Sequence, residues 1–266
     1  MTTRALVATD GDPPAQAALT LLERLGNRAE LDLTVLCVAT FDLALDAAGE
    51  IGHYSADAAL GIAHDLAERE ANRLRGAGFR AQPEVVQGHA TVEIIRRLED
   101  DSADLVVLGG GKRTWLNQLL LGSVSTAVLQ SSPCPVLVVR EARAGGGEAP
   151  RVLVGADGSD DAVRAAETFV RLADPQRCDV EVLTVGPAAD AGRAERVVAL
   201  LRESGWSPQT SVEPGHAAVV LLGRVGSTDP DLTVAGARGA GTVRQTPVGS
   251  VTDKLMRHAR ATLVGR

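Results

Sequence analysis

The residues of this chain best suited to chemistry are glycines. One stretch reads AGARGAGTVRQTPVGSVTDKLM, with Gly236, two residues, Gly239, nine residues, then Gly249-Ser250. A glycine at such a point lets backbone N–H groups approach phosphate oxygens with no Cβ in the way. A helix opening at Ser250 adds its N-terminal dipole and a hydroxyl, which together make an anion cradle. A chain with 28 glycines produces spaced pairs by chance, so the weight lies on position: the motif follows an apolar strand and opens a helix. It lacks the Gly-Lys-Ser/Thr ending of a Walker A loop, and it does not follow the first strand as the dinucleotide fingerprint does.

The second set of candidates is Asp10-Gly11 and Asp157-Gly158-Ser159, each just after an apolar run. A carboxylate there can accept hydrogen bonds from a ribose hydroxyl or an adenine amine, while the glycine lets the chain turn sharply. The plainer alternative is that each Asp caps the helix that follows. In the corresponding loop of the first half, Gly109 and Gly122-Ser123 are present, but Lys112 stands where the second glycine belongs, with Thr114 and Trp115 behind it. Lys112 could pair with a phosphate, yet its stem obstructs close backbone approach, so the second half ranks as the better site. His89 and His216 each precede a helix and read as helix-entry residues. Glu99, Asp100 and Asp101 read as a solvated helix end, and Phe79 and Trp206 as core. Cys37, Cys134 and Cys178 read as reduced packing residues. No Ser/His/Asp order, HExxH or CxxC supports hydrolytic or metal chemistry.

The elements that must position these residues occur twice. RALVATDGDPPAQAALTLLERL reappears as RVLVGADGSDDAVRAAETFVRL, and Asp10 and Val38 pair with Asp157 and Val185 at an offset of 147. LRGAGF, VVQGHATVEII and ADLVVLGGG match LRESGW, SVEPGHAAVVL and PDLTVAGAR at an offset of 127, so the second copy lacks 20 residues between Val185 and Leu201. In the first copy ALVAT, LTVLCVA, AQPEVV, DLVVLGG and PVLVV read as five strands, several apolar at nearly every position. Helical spacing marks residues 14–25, 56–75, 91–99 and 123–130. Strands separated by helices call for right-handed crossovers and a parallel sheet, hence two doubly wound, Rossmann-like α/β domains in tandem, residues 1–141 and 150–266. The Gly-rich stretch Glu141–Pro150 reads as their linker. The second copy ends HARATLVGR where the first ends SSPCPVLVVR, which puts pairing through its last strand in question.

Composition agrees with this architecture. The chain has 266 residues, 45% of them apolar but only 2% aromatic, so the core must be aliphatic. A net charge of -7 without a run of Lys or Arg excludes nucleic acid as the main partner. No stretch reaches the about 18 apolar residues that span a bilayer, and MTTRALVATDG has no apolar leader, so the expectation is a cytoplasmic protein without membrane insertion.

The glycine motif, LVGADGS, LVVLGGG and GSVSTAVLQSSPCPVLVVR together resemble the universal stress protein family, over nearly the whole chain and in two copies. The resemblance implies the adenine nucleotide alpha hydrolase-like fold and ATP as ligand, with Mg²⁺ admissible beside its phosphates. It implies adenosine contacts at Asp157 and Val185, and at Asp10 and Val38. Phosphate contacts fall on Gly236, Gly239, Gly249, Ser250 and Thr252, with Gly109, Gly122 and Ser123 the matching first-half positions. It further implies a stress-response regulator whose partners are the nucleotide and either another protein or a second copy of the chain. Two alternatives stay open: an interaction module that binds no nucleotide, and a slow ATPase. Neither motif loop supplies the positioned base and metal-holding carboxylate that an enzyme would need.

Overall fold

The computed structural model describes residues 2–40, 44–45, 51–52, 56–100, 103–111, 121–143, 148–239 and 248–266. Asp101, Lys112, Thr114 and Trp115 lie outside the described residues, as does part of the expected linker.

The first half runs β1 (Thr3–Ala8), α1 (Pro13–Leu25), β2 (Leu31–Ala39), a two-residue ladder of β3 (Ala44–Leu45) with β4 (Ile51–Gly52), α2 (Ala56–Gly76), β5 (Arg80–Gln87), α3 (Ala90–Asp100), β6 (Leu105–Gly109), α4 (Ser123–Ser131) and β7 (Val136–Val139). The second runs β8 (Arg151–Gly155), α5 (Asp160–Leu172), β9 (Asp179–Val185), a 3-10 turn (Ala188–Ala194), α6 (Glu195–Glu203), β10 (Gln209–Glu213), α7 (Ala217–Thr228), β11 (Leu232–Gly236), α8 (Ser250–His258) and β12 (Ala261–Gly265). The missing 20 residues therefore fall where the long α2 gives way to the 3-10 turn and the short α6.

The strand order β5-β2-β1-β6-β7 recurs as β10-β9-β8-β11-β12, and every pairing between these strands inside a half is parallel. The inner strands are buried along most of their length, as β6 and β7 show, because helices cover both faces. β5 is half-exposed, and it carries Pro83, which an edge strand tolerates.

The two sheets are one. β7 and β12 pair antiparallel, Val136 with Val264 through Val139 with Ala261, to give ten continuous strands. The doubtful last strand is thus a full partner, because HARATLVGR supplies five buried strand residues despite its shortness. Around this seam the contacts are reciprocal. Asn27 N–H donates to the Leu172 carbonyl, and Asp174 N–H to the Leu25 carbonyl; these are the same positions of the repeat with roles exchanged. Likewise the Arg140 guanidinium donates to the carbonyl of Arg257 at the end of α8, and that of Arg266 to the carbonyl of Ser132 at the end of α4. Cations at helix C-termini are favourable.

One aliphatic core crosses the seam, with Leu19, Leu22 and Leu25 from α1 and Phe169 and Leu172 from α5 in a single buried cluster. Phe79 and Trp206 are core residues, Trp206 resting on Phe169 at 4.7 Å between rings. All three cysteines are free and buried. Burial pushes the Cys178 thiol up to about 12. Among the described residues no helix is long and apolar enough to cross a membrane.

Candidate functional site

In an open parallel sheet the ligand crevice lies beyond the carboxyl ends of the strands, where the winding reverses. That point is between β1 and β6 in the first half and between β8 and β11 in the second. The first half holds a cavity of about 430 Å³ there, whose lining includes Asp10, Val38, Gly109, Gly122 and Ser123, together with Pro14 and Gly111. The five first-half residues expected from the motif therefore share one cavity, of a size suited to a small molecule.

Each wall has a local cause. Gly11 turns the chain at φ +78° between β1 and α1, a conformation that L side chains rarely adopt. Asp10 is exposed and accepts the Asp12 N–H at 3.0 Å through Oδ1. Burial, with the Asp10 carboxylate adding, pushes the Cys37 thiol up to about 11. Gly109 lies so close to α1 that a Cβ would come within 2.7 Å of the Ala15 nitrogen. Its carbonyl accepts the Ser125 hydroxyl at 2.6 Å, which pins the loop to α4. Gly111, at φ +80°, leaves no room for a side chain because its Cβ would collide with Gly122. Gly122 and Ser123 then open α4, whose first N–H groups point toward the crevice end of the helix.

The second half arranges the matching residues differently. Asp157 Oδ1 accepts both the N–H of Ser159 at 3.0 Å and its hydroxyl at 2.6 Å. Ser159 in turn accepts the Ala162 N–H as the N-cap of α5. The N-cap of α5 is thus Ser159 and not Asp157, which orients the cap residue without capping the helix itself. The glycine segment lies against this loop: a Cβ on Gly239 would fall 2.9 Å from Asp157 Oδ2. Arg238 Nε bonds Asp161 Oδ2 at 3.1 Å, and the Ser159 hydroxyl lies 3.5 Å from the Arg238 carbonyl. Arg193, from the 3-10 turn, sits over Gly158.

Of the other expected residues, Gly249 donates its N–H to the Ala237 carbonyl at 2.7 Å and precedes Ser250 at the start of α8. Gly236 packs on α5, 2.7 Å from its Ala162 nitrogen for a built Cβ. Val185 packs beside the Leu183 and Leu221 cluster. Thr252 departs from its expected phosphate contact. It is buried, and its hydroxyl is committed to the Gly236 carbonyl at 2.7 Å, the counterpart of Ser125. His89 and His216 are helix-entry residues, His89 accepting the Glu93 N–H and His216 the N-terminal cap residue of α7. Among the described residues no group of His, Cys, Asp and Glu could hold a metal ion.

Sequence reasoning missed Arg238, Asp161, Arg193 and Ser125. The signal was present in the repeat register, where Arg238 and Asp161 stand opposite Gly111 and Pro14.

A model of the universal stress protein family matches residues 1–140 and 187–264. The chain belongs to that family. It is 30% identical over 138 residues to universal stress protein Slr1230 of Synechocystis sp., a match covering 52% of this chain and 42% of that one. To YxiE of Bacillus subtilis it is 27% identical over 152 residues, covering 53% of this chain and all of that one. The chain spans less than half the length of the Synechocystis relative. A universal stress protein from Archaeoglobus fulgidus superposes with a TM-score of 0.73 at 22% identity, over 99% of this chain and 98% of that one, so the fold is shared along the full length.

Proposed function

We propose that this protein binds an adenine nucleotide, ATP first among them, in the crevice of its first half, and that occupancy shifts a conformational or association equilibrium within a stress response. The observation that supports this reading is the 430 Å³ cavity at the point where the winding reverses, with Asp10, Val38, Gly109, Gly122 and Ser123 on its walls. Asp10 offers a carboxylate acceptor to a ribose hydroxyl, and Val38 an apolar surface to a base. The glycines and the opening of α4 offer main-chain donors to phosphates, with Mg²⁺ admissible beside them. This reading sets the first half above the second, where the glycine spacing ranked them the other way. The reading is of a regulator, since binding of this kind calls for no base or metal-holding carboxylate. A second reading, an interaction module, is favoured for the second half alone by the contacts drawn across its crevice.

The test is the melting temperature with and without ATP. Ligand at about 100 times its dissociation constant stabilises the native state by about 2.7 kcal/mol. The parent and Asp157→Ala are expected to show the shift, and Asp10→Ala to lose it. A shift lost in Asp157→Ala and kept in Asp10→Ala would place the ligand in the other half.

A further inference from the structure

We propose that Arg266, which the second half contributes, is a positioning residue of the first-half crevice: it acts on a bound phosphate through the C-terminus of α4, so that one half sets the anion affinity of the other. The inference deepens the nucleotide reading of the first crevice and rests on it.

α4 reads SVSTAVLQS and has no charged side chain of its own. Its opening residues, Gly122 and Ser123, line the cavity. Nothing basic in its last turn offsets the partial negative charge that a helix gathers at its carboxyl end. The cation that does so comes from across the seam. Arg266, following β12, donates through Nη1 to the carbonyl of Ser132, the C-cap of α4, at 2.5 Å. Its Nε and Nη2 are shielded from solvent and have no hydrogen-bond partner among the described residues. Burial lowers its pKa, with Cys134 opposing, Arg238 adding and Asp161 opposing. A cation so desolvated, with its one hydrogen bond on a helix end, interacts with that end more strongly than a solvated one.

The reciprocal contact carries less weight. Arg140 donates to the Arg257 carbonyl at the end of α8, but α8 already has Arg257 and His258 in its last turn. Removing Arg140 leaves α8 with cations at its carboxyl end, whereas removing Arg266 leaves α4 with none of its own.

The second half also places α4 by packing. Val128 and Leu129 share a buried cluster with Val264 of β12 and Met256 of α8, while the Ser125 hydroxyl ties the helix to the Gly109 carbonyl at the crevice. α4 is thus a strut between seam and crevice. Its 9 residues span about 13 Å. The Arg266 charge therefore reaches a phosphate at Ser123 through protein, where salt screens it less than through solvent.

The test is the affinity of the full chain for ATP and for adenosine, by isothermal titration calorimetry. Adenosine has the ribose and base but no phosphate, so it reports the walls at Asp10 and Val38 without the cradle. Arg266→Gln and Arg266→Met are each expected to weaken ATP about three- to tenfold and to leave adenosine within about twofold of the parent. Arg266→Lys, which keeps the charge, is expected to recover most of the loss. Circular dichroism and melting check folding, and either neutral variant alone decides if the other does not fold. A folded neutral variant that binds ATP as the parent does overturns the inference and leaves the crevice reading standing. So do a parallel loss of ATP and adenosine, which marks general loosening, and a lysine variant no tighter than the neutral ones. A parent that binds no ATP, or loses none of its affinity on Asp10→Ala, refutes the crevice reading, and this inference falls with it.

Discussion

The two halves share a strand order, a glycine after the fourth strand and an aspartate after the first, yet the residues around that point differ: a cavity of about 430 Å³ in the first half, and an ion pair from Arg238 to Asp161 in the second. In the half with the better motif, Arg238 and Gly239 lie against the loop of Asp157 and the start of α5. Beyond Lys112 for the second glycine, the halves differ in the residues between and opposite the glycines: Arg238 for Gly111, Asp161 for Pro14, and a 3-10 turn for the start of α2. Spacing of glycines defines where a backbone can come close to a ligand. Charges nearby decide whether it comes close to a ligand or to its own chain.

The same asymmetry extends to the seam, where it predicts unequal costs for equal substitutions. Asp231 and Asp104 are register partners, and each accepts the N–H at the start of a strand, Arg151 for Asp231 and Arg4 for Asp104. Asp231 is 3% exposed and additionally pairs with Arg24 of the other half and with Arg143. Removing it leaves two guanidinium groups without their shared carboxylate. Asp231→Ala is expected to cost about 3–5 kcal/mol, against about 1 kcal/mol for Asp104→Ala. Urea unfolding of both variants measures the gap, and equal costs would show that the arginines add nothing across the seam.

Next in size is a substitution that makes the halves more alike. Where the first half ends Val139-Arg140, the second ends Gly265-Arg266. Val139 is fully buried. A Cβ at Gly265 would instead run into the backbone and side chain of Ala165 in α5. Gly265→Val is therefore expected to destabilise by about 3 kcal/mol, because backbone cannot give way as a flexible side chain can. A melting temperature within a degree or two of the parent would mean that α5 can shift freely on β12.

Much of this architecture was legible in the residues. The repeat, the five strands of each half and the crevice position follow from apolar periodicity and the offset pairs, since aliphatic runs between helical stretches have few other solutions. It is the resemblance to the family, carried over on the repeat register, that assigns Asp10, Val38, Gly109, Gly122 and Ser123 to one crevice. Two things were not legible. The pairing of β12 with β7 joins residues far apart in sequence, Val136 with Val264 and Val139 with Ala261, and no local pattern announces it. The packing of the second crevice depends on side chains such as Arg238, whose direction is set by a carboxylate on another helix. Thr252 illustrates the same limit: a hydroxyl at a helix start can point to a ligand or back to a carbonyl, and only the neighbouring Gly236 carbonyl decides.

The smallest expected effect concerns acid. Asp229 occupies a left-handed position, φ 46°, at the end of α7. The Arg260 guanidinium bonded to it holds its carboxyl below the usual range, burial opposing and the Arg260 and Arg143 charges adding. A carboxylate with a depressed folded pKa contributes stability that is fully present above its unfolded value near 3.9 and is lost as pH falls through the folded value. Its register partner is the uncharged Ser102, so this contribution belongs to the second half alone. The side chain is 49% exposed, and solvent screening limits it to under about 1 kcal/mol. Asn tolerates the left-handed conformation, which makes Asp229→Asn a change of charge with the backbone preserved. The variant is expected to be slightly less stable than the parent at pH 6, with the difference shrinking as pH is lowered below about 4. Paired urea midpoints across that range measure it, and a difference that held constant or widened in acid would show that the Arg260 pair is not what distinguishes the two halves at this position.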